Sequence, residues 1–115
     1  MLEKSKDFAV DIITLCREIK SQRHESILIN QLLRSGTSIG ANIHESKYAQ
    51  SKADFISKMQ IALKECYESE YWLEIFFRTG LLPETQYKIF KNNCGNIRRM
   101  LIASINTVKS NLSKE

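Results

Sequence analysis

His44-Glu45 opens like the zinc-protease pattern H-E-x-x-H, in which two histidines one helical turn apart hold a metal and the glutamate acts as base. Position 48 is Tyr, so the second ligand is missing from that helix face, and His24 stands alone in a polar turn. Cys16, Cys66 and Cys94 are odd in number, far apart and without a C-x-x-C pair. On apolar helix faces such thiols act as small hydrophobes. Glu68 and Glu70 are two apart, which sends them to nearly opposite sides of a helix and denies them the shared proton of a catalytic dyad. With no phosphate-cradling Gly-rich loop and no nucleophile elbow, the expectation is a non-enzymatic chain with no metal and no cofactor.

The remaining polar residues suit recognition and assembly. Glu70 projects within an apolar face near Cys66, Leu73 and Phe77, where a carboxylate needs partners or a raised pKa. A structural hydrogen-bond acceptor and a catalytic acid are both open readings there. Arg34, Ser38, Asn42 and Glu45 fall at i, i+4, i+8 and i+11 and make a polar stripe. Either it is a wet surface, or Arg34 and Asn42 meet carboxylates such as Glu68 on another helix or subunit, where charge-assisted bonds set register. Ile61, Trp72 and Ile75 form a second apolar stripe on the side opposite Met59, with Glu68 among them. A neighbouring helix or loop covers that stripe, or it is a surface for self-association.

The formal net charge of +4 is unevenly placed. Residues 84–115 hold six Lys or Arg against Glu84 and Glu115, a net +4, so the rest of the chain sums to zero. Lys88, Lys91, Arg98 and Arg99 are the candidates for contact with a nucleic-acid backbone, with Tyr87 as a stacking group. Solvated helix faces carry the same pattern. The alternative is a protein-interaction scaffold or accessory subunit whose basic helix docks an acidic or RNA-bound partner without touching nucleic acid itself.

These residues have to be positioned by helices. The 115 residues make one domain, 1–115, with 43% apolar and 26% charged residues, the balance of a soluble globular protein. Nothing approaches the roughly 18 uninterrupted apolar residues of a membrane span. The start lacks the apolar core of a signal peptide, so the expected location is cytoplasmic, without membrane. Phe8, Ile12, Leu15, Cys16 and Ile19 space a first helix, with Ser5 as its cap. Ile29, Leu32, Leu33, Gly36, Ile39, Gly40 and Ile43 space a second. Ser51, with Asp54 three residues on, caps a third, whose face runs Phe55, Met59, Ala62, Leu63, Cys66, Leu73 and Phe77 before Gly80 and Pro83 stop it. The fourth starts near Glu84, with Phe90, Cys94, Ile97, Leu101, Ile105, Val108 and Leu112 as its stripe and Asn92, Asn93 and Gly95 weakening its middle. Four helices with short connections predict an all-α, antiparallel up-down-up-down four-helix bundle.

The segment from Arg34 to Glu45 holds two glycines four apart on the apolar stripe, each costing an isolated helix about 1 kcal/mol relative to Ala. Close approach of another backbone at Gly36 and Gly40 is the expected compensation. Arg34 with Ser38-Ile39-Gly40-Ala41-Asn42-Ile43-His44-Glu45 resembles the S-I-P-A-N-I-A-E-G signature of the 23S rRNA intervening-sequence protein family. Phe55-Ile56, Ile61-Ala62-Leu63 and Glu68-x-Glu70 before Leu73 look like that family's next block, in order and at the expected separation. Gly40 stands where the family has Pro, His44 where it has a small residue and Ser46 where Gly is common. Loss of that Pro predicts a straighter second helix. The resemblance implies a small antiparallel bundle that assembles as a homo-oligomer, a ring-like pentamer, with no established enzymatic activity. By the genomic context of the family and of related retroelement accessory proteins, it also implies an RNA or ribonucleoprotein partner.

Overall fold

The structure, a computed structural model, describes residues 1–23 and 25–113; His24 lies outside them. Four helices follow in chain order: α1 (Leu2–Arg23), α2 (Ser26–Ser46), α3 (Lys52–Arg78) and α4 (Glu84–Ser113), with no strand among the described residues. Each helix packs on the next, α4 returns against α1, and diagonal helices stay apart, which is the up-down-up-down bundle. The bundle measures 54 × 22 × 20 Å. Its loosest side is the α1–α4 seam, where an open groove is lined by Asp11, Phe90 and Asn93.

The periodic residues meet along the axis. Phe8, Ile12, Leu15, Cys16 and Ile19 from α1 are buried with Ile29, Leu32, Ile39 and Ile43 from α2. Met59, Ala62, Cys66 and Leu73 join them from α3, and Cys94, Ile97, Leu101 and Ile105 from α4. Ile56 and Phe76 complete the α3 contribution, while Leu112 reaches the exposed end of its stripe.

The helix ends follow local chemistry. Ser51 Oγ accepts from the backbone N–H of Asp54 at 3.0 Å, and Asp54 Oδ2 accepts from the N–H of Gln50 at 3.2 Å, so two amides at the start of α3 are satisfied. At the other end Gly80 takes φ 83°, which lets Leu81 N–H reach Phe76 O at 2.8 Å and Gly80 N–H reach Phe77 O at 3.1 Å. Ser5 is different from its expected role as a cap. α1 already starts at Leu2, and the buried Ser5 hydroxyl donates to Leu2 O at 2.7 Å inside the helix. α2 runs unbroken through Gly40, and α4 runs unbroken through Asn92, Asn93 and Gly95.

Gly36 and Gly40 sit where α2 meets α1. A Cβ on Gly36 would lie 3.0 Å from both branches of Ile12, and one on Gly40 would lie 3.3 Å from Ser5 Oγ and 3.4 Å from Ser5 O. The small residues therefore admit a neighbouring helix, and the buried Ser5 is what Gly40 admits.

Candidate nucleic-acid interface

α3 is clasped from both sides by ion pairs. On the α2 side Arg34 Nη1 donates to Glu65 Oε2 at 3.0 Å, and Arg34 Nη2 donates to Glu68 Oε2. Between these surface pairs and the core, Ser69 Oγ donates to Ser35 Oγ at 3.0 Å, with both serines fully buried. On the α4 side Arg98 Nε donates to Glu70 Oε1 at 3.0 Å, and the two side chains keep only 27% and 21% of their surface exposed. Hydrogen bonding to Glu70 holds the Arg98 guanidinium above its ordinary pKa, so it stays charged. The opposite directions expected for Glu68 and Glu70 thus put them on different neighbours, and Glu70 takes the place of a structural acceptor.

Ser38 and Asn42 of the α2 polar stripe turn back on their own helix. Ser38 Oγ donates to Arg34 O at 2.6 Å, and Asn42 Nδ2 donates to Ser38 O at 2.9 Å. Asn42 therefore does not meet a carboxylate of another helix within this chain, since the i−4 carbonyl lies within easier reach. Glu45 pairs with Lys58 of α3 at 3.5 Å. Sequence reasoning overlooked Ser35, Glu65 and Ser69. Polar residues at core positions of the helical period were the available signal for the serines.

The second apolar stripe of α3 is more covered than its angular position suggested. Ile61 is exposed, but Trp72 and Ile75 are half-buried, and Trp72 packs against the core cluster. Trp72 lies one turn beyond Glu68, whose partner Arg34 is on α2, and its packing against the core accounts for its burial. Its indole N–H is buried without a partner, and Tyr71 meets its ring edge-on at 5.0 Å between centroids.

On α4, Lys88, Lys91, Arg98, Arg99 and Lys109 all fall within an arc of about 100° at the helical step of 100° per residue. From Lys88 to Lys109 this ridge is about 30 Å long. Lys88, Lys91, Arg99 and Lys109 are exposed, whereas Arg98 is held between Glu70 and the ring of Tyr67, 5.7 Å from its centroid. Lys88 pairs loosely with Glu84 at 3.1 Å, an exposed i,i+4 contact that water screens. Tyr87, expected to stack on bases, has its ring stacked on Phe77 at 4.7 Å with Lys91 5.6 Å away, so it is already engaged. Tyr67, with 52% of its surface exposed beside Arg98, is the better presented ring.

The three cysteines are free and buried. Burial pushes the Cys16 thiol up to about 11, and contact with Cys66 together with burial raises Cys94 well beyond the ordinary thiol range. No group of three His, Cys, Asp or Glu residues able to hold a metal occurs among the described residues, and no helix there is long and apolar enough to cross a membrane.

Fold and surface define a small all-α bundle whose polar groups lock helices together and whose last helix carries a cationic ridge. The chain belongs to the 23S rRNA-intervening sequence protein family, whose model matches residues 1–103. It is also similar to a crystal structure of a protein of unknown function from the S23 ribosomal protein family of Bacteroides thetaiotaomicron. Identity is 47%, the alignment covers 90% of this chain and 96% of that one, and the TM-score is 0.89. No curated protein matches the chain.

Proposed function

We propose that the protein is a non-enzymatic, cytoplasmic RNA-associated bundle that works as a homo-oligomer and binds through the ridge of α4. The carrying observation is the alignment of Lys88, Lys91, Arg99 and Lys109 on one exposed arc of a helix. Each cation contacts one or two phosphates at most, so a single ridge binds weakly. A ring of five copies, the assembly the family resemblance implies, would carry about +20 formal charge and multiply that contact. The half-exposed ring of Tyr67 adds a stacking plane at the edge of the ridge. Three buried free thiols suit a reducing compartment.

The test is a titration of structured and single-stranded RNA at two salt concentrations with the wild type and with a Lys88→Glu/Lys91→Glu/Arg99→Glu variant. Binding that weakens steeply with salt and disappears in the variant supports the reading. Arg98 is left in place because its reversal would break the pair with Glu70 and confuse binding with folding. No binding at low salt rejects the reading and returns the chain to the protein-scaffold alternative. Solution mass of the wild type and of Ile61→Glu, at the exposed residue of the second α3 stripe, tests self-association: if both run as monomers, the oligomer is wrong.

A further inference from the structure

Three glycines lie inside helices, and they face different things. Gly36 and Gly40 face another helix, Ile12 and Ser5 of α1. Gly95 is buried too, yet the nearest groups over it are two guanidiniums of its own helix: a Cβ there would lie 3.3 Å from Arg99 Nη1 and 3.5 Å from Arg98 Nη2. No close approach of a second backbone explains this glycine, although a mid-helix Gly weakens the helix relative to Ala. Its absent side chain instead lets Arg98 at i+3 and Arg99 at i+4 fold back over one point.

Each arginine is anchored at a different atom. Arg98 is held through Nε by Glu70 at 3.0 Å, and Arg99 through Nη2 by Asn96 Oδ1 at 2.5 Å. Arg98 Nη2 and Arg99 Nη1 both lie over Gly95, within 3.5 Å of where its Cβ would be. Two like charges converge there with one carboxylate to offset them, so the spot keeps a net positive charge. Gly95 also lies in the middle of the ridge arc, with Lys91 one turn before it.

We propose that Gly95, Arg98 and Arg99 form a seat for one backbone phosphate of a nucleic acid, where two guanidiniums brought together over the glycine grip a single phosphoryl group. Guanidinium forks match phosphate oxygens in shape, and the partly buried clasp of Arg98 on Glu70 removes part of the ordering cost on binding. The seat rests on the RNA-binding reading above and adds which residues make the specific grip and which only supply long-range charge.

Gly95→Ala separates the two, because it removes no charge and leaves every basic residue in place. The first measurement is fluorescence anisotropy of a labelled single-stranded 12-mer RNA across a salt series, for wild type, Gly95→Ala, Arg99→Ala and a Lys20→Ala control on α1. The seat requires that Gly95→Ala and Arg99→Ala each weaken binding roughly tenfold and each lower the salt slope by about 0.7, the value of one single-strand phosphate. Lys20→Ala should leave both unchanged. Wild-type binding with Gly95→Ala indistinguishable from it in affinity and slope overturns the seat and leaves the RNA reading standing on Lys88 and Lys91.

The second measurement is a titration of inorganic phosphate followed by the Arg98 and Arg99 side-chain Nε–H signals. If wild type binds no RNA but phosphate moves these signals and Gly95→Ala abolishes the movement, the anion seat stands and the RNA reading fails. Signals that phosphate does not move in the wild type overturn the seat. A thermal melt of Gly95→Ala guards against misfolding, and Arg99→Ala, whose side chain is exposed, carries the test should Gly95→Ala fail to fold.

Discussion

Ser69 of α3 donates from its Oγ to Ser35 Oγ of α2 across 3.0 Å, with neither residue exposed to solvent. Ser35 passes its own proton back to Leu32 O at 3.3 Å, so the pair is a short chain of hydroxyls ending on helix backbone. Each serine is adjacent in sequence to a member of the Arg34–Glu68 ion pair, which makes Arg34-Ser35 and Glu68-Ser69 a two-part register mark between α2 and α3. A shift of either helix by one residue would bury an unpaired hydroxyl and part the charges.

Ser35→Ala deprives Ser69 of its acceptor, and the cost of stranding a buried hydroxyl is about 1–3 kcal/mol. Adding Ser69→Ala should recover part of that loss, since two apolar groups of similar size leave nothing unsatisfied. Urea unfolding of wild type, both single variants and the double variant forms the cycle that reads this coupling. Strict additivity would mean that the two hydroxyls do not interact.

The register mark also shows where the sequence was readable and where it was not. Periodicity located all four helices, the Gly80 stop and the Ser51 cap, because those signals are local to one turn of chain. Ser5 was misread as a cap, since a small residue at a helix start looks the same whether it ends the helix or makes room for Gly40 across a seam. Arg34 with Glu68 was legible because opposite charges on two predicted faces suggest each other. Ser35 with Ser69, and Glu70 with Arg98, depend on the distance between helices, which no single helix encodes. The grip of Arg98 on Glu70 also takes one of the four residues expected to contact phosphate out of the freely exposed set.

Glu70 and Arg98 should couple more strongly than the surface pairs. Both are about three-quarters covered, and truncating Arg98 leaves a carboxylate half in the interior. Arg98→Ala is expected to cost about 2 kcal/mol, and Glu70→Gln about 1, in denaturant unfolding. The Glu3–Lys6 contact, with both partners exposed, serves as the comparison: Lys6→Ala should leave the unfolding midpoint unchanged. Equal effects at the two sites would remove the α3–α4 clasp as a stabilising feature.

Alkaline stability should fall through the thiols. The Cys16 thiol has an ordinary value of 9.0 and is raised by burial to about 11 in the folded chain. The folded state therefore holds its proton more tightly than the unfolded state. The associated stability is complete below pH 9.0 and is lost as pH rises from there through about 11. Thermal melts of wild type and Cys16→Ala across this range should converge as pH rises, although Cys16→Ala starts lower at neutral pH because of the cavity it leaves. At neutral pH the buried thiols should resist alkylation until denaturant is added. Parallel pH curves for the two proteins would show that Cys16 does not titrate as its burial requires.

The unpartnered indole of Trp72 predicts an unusual outcome for a large core-edge residue. Truncation of a half-buried Trp removes apolar contact, but here the N–H is also covered with nothing to accept its proton. Trp72→Phe keeps an aromatic ring against the core while deleting that donor. The loss of area and the relief of an unsatisfied group, each about 1–2 kcal/mol, should nearly cancel. A midpoint within about 1 kcal/mol of wild type is expected. A loss above about 3 kcal/mol would mean that the packing lost with the indole outweighs the relief of its buried N–H.

Gly36→Ala and Gly40→Ala should both destabilise the bundle despite improving the intrinsic helix. The propensity gain is about 1 kcal/mol at each site. Against it, the new methyl at position 36 must push on Ile12, whose Cγ1 and Cγ2 both lie 3.0 Å away inside a filled core, and such overpacking costs about 1–3 kcal/mol. At position 40 the nearest atoms are at 3.3 and 3.4 Å, and one of them is the backbone oxygen of Ser5, which cannot rotate away. Gly36→Ala should therefore be the more damaging, and in an Ile12→Ala background, which lacks both γ carbons of that contact, it should cost nothing further. Gly40→Ala should be milder and should cost the same in the Ile12→Ala background, since its contacts are with Ser5. Thermal unfolding of the single and double variants decides the matter: a changed cost of Gly40→Ala in that background, or an unchanged cost of Gly36→Ala, would place the α1–α2 contact somewhere other than on these two glycines.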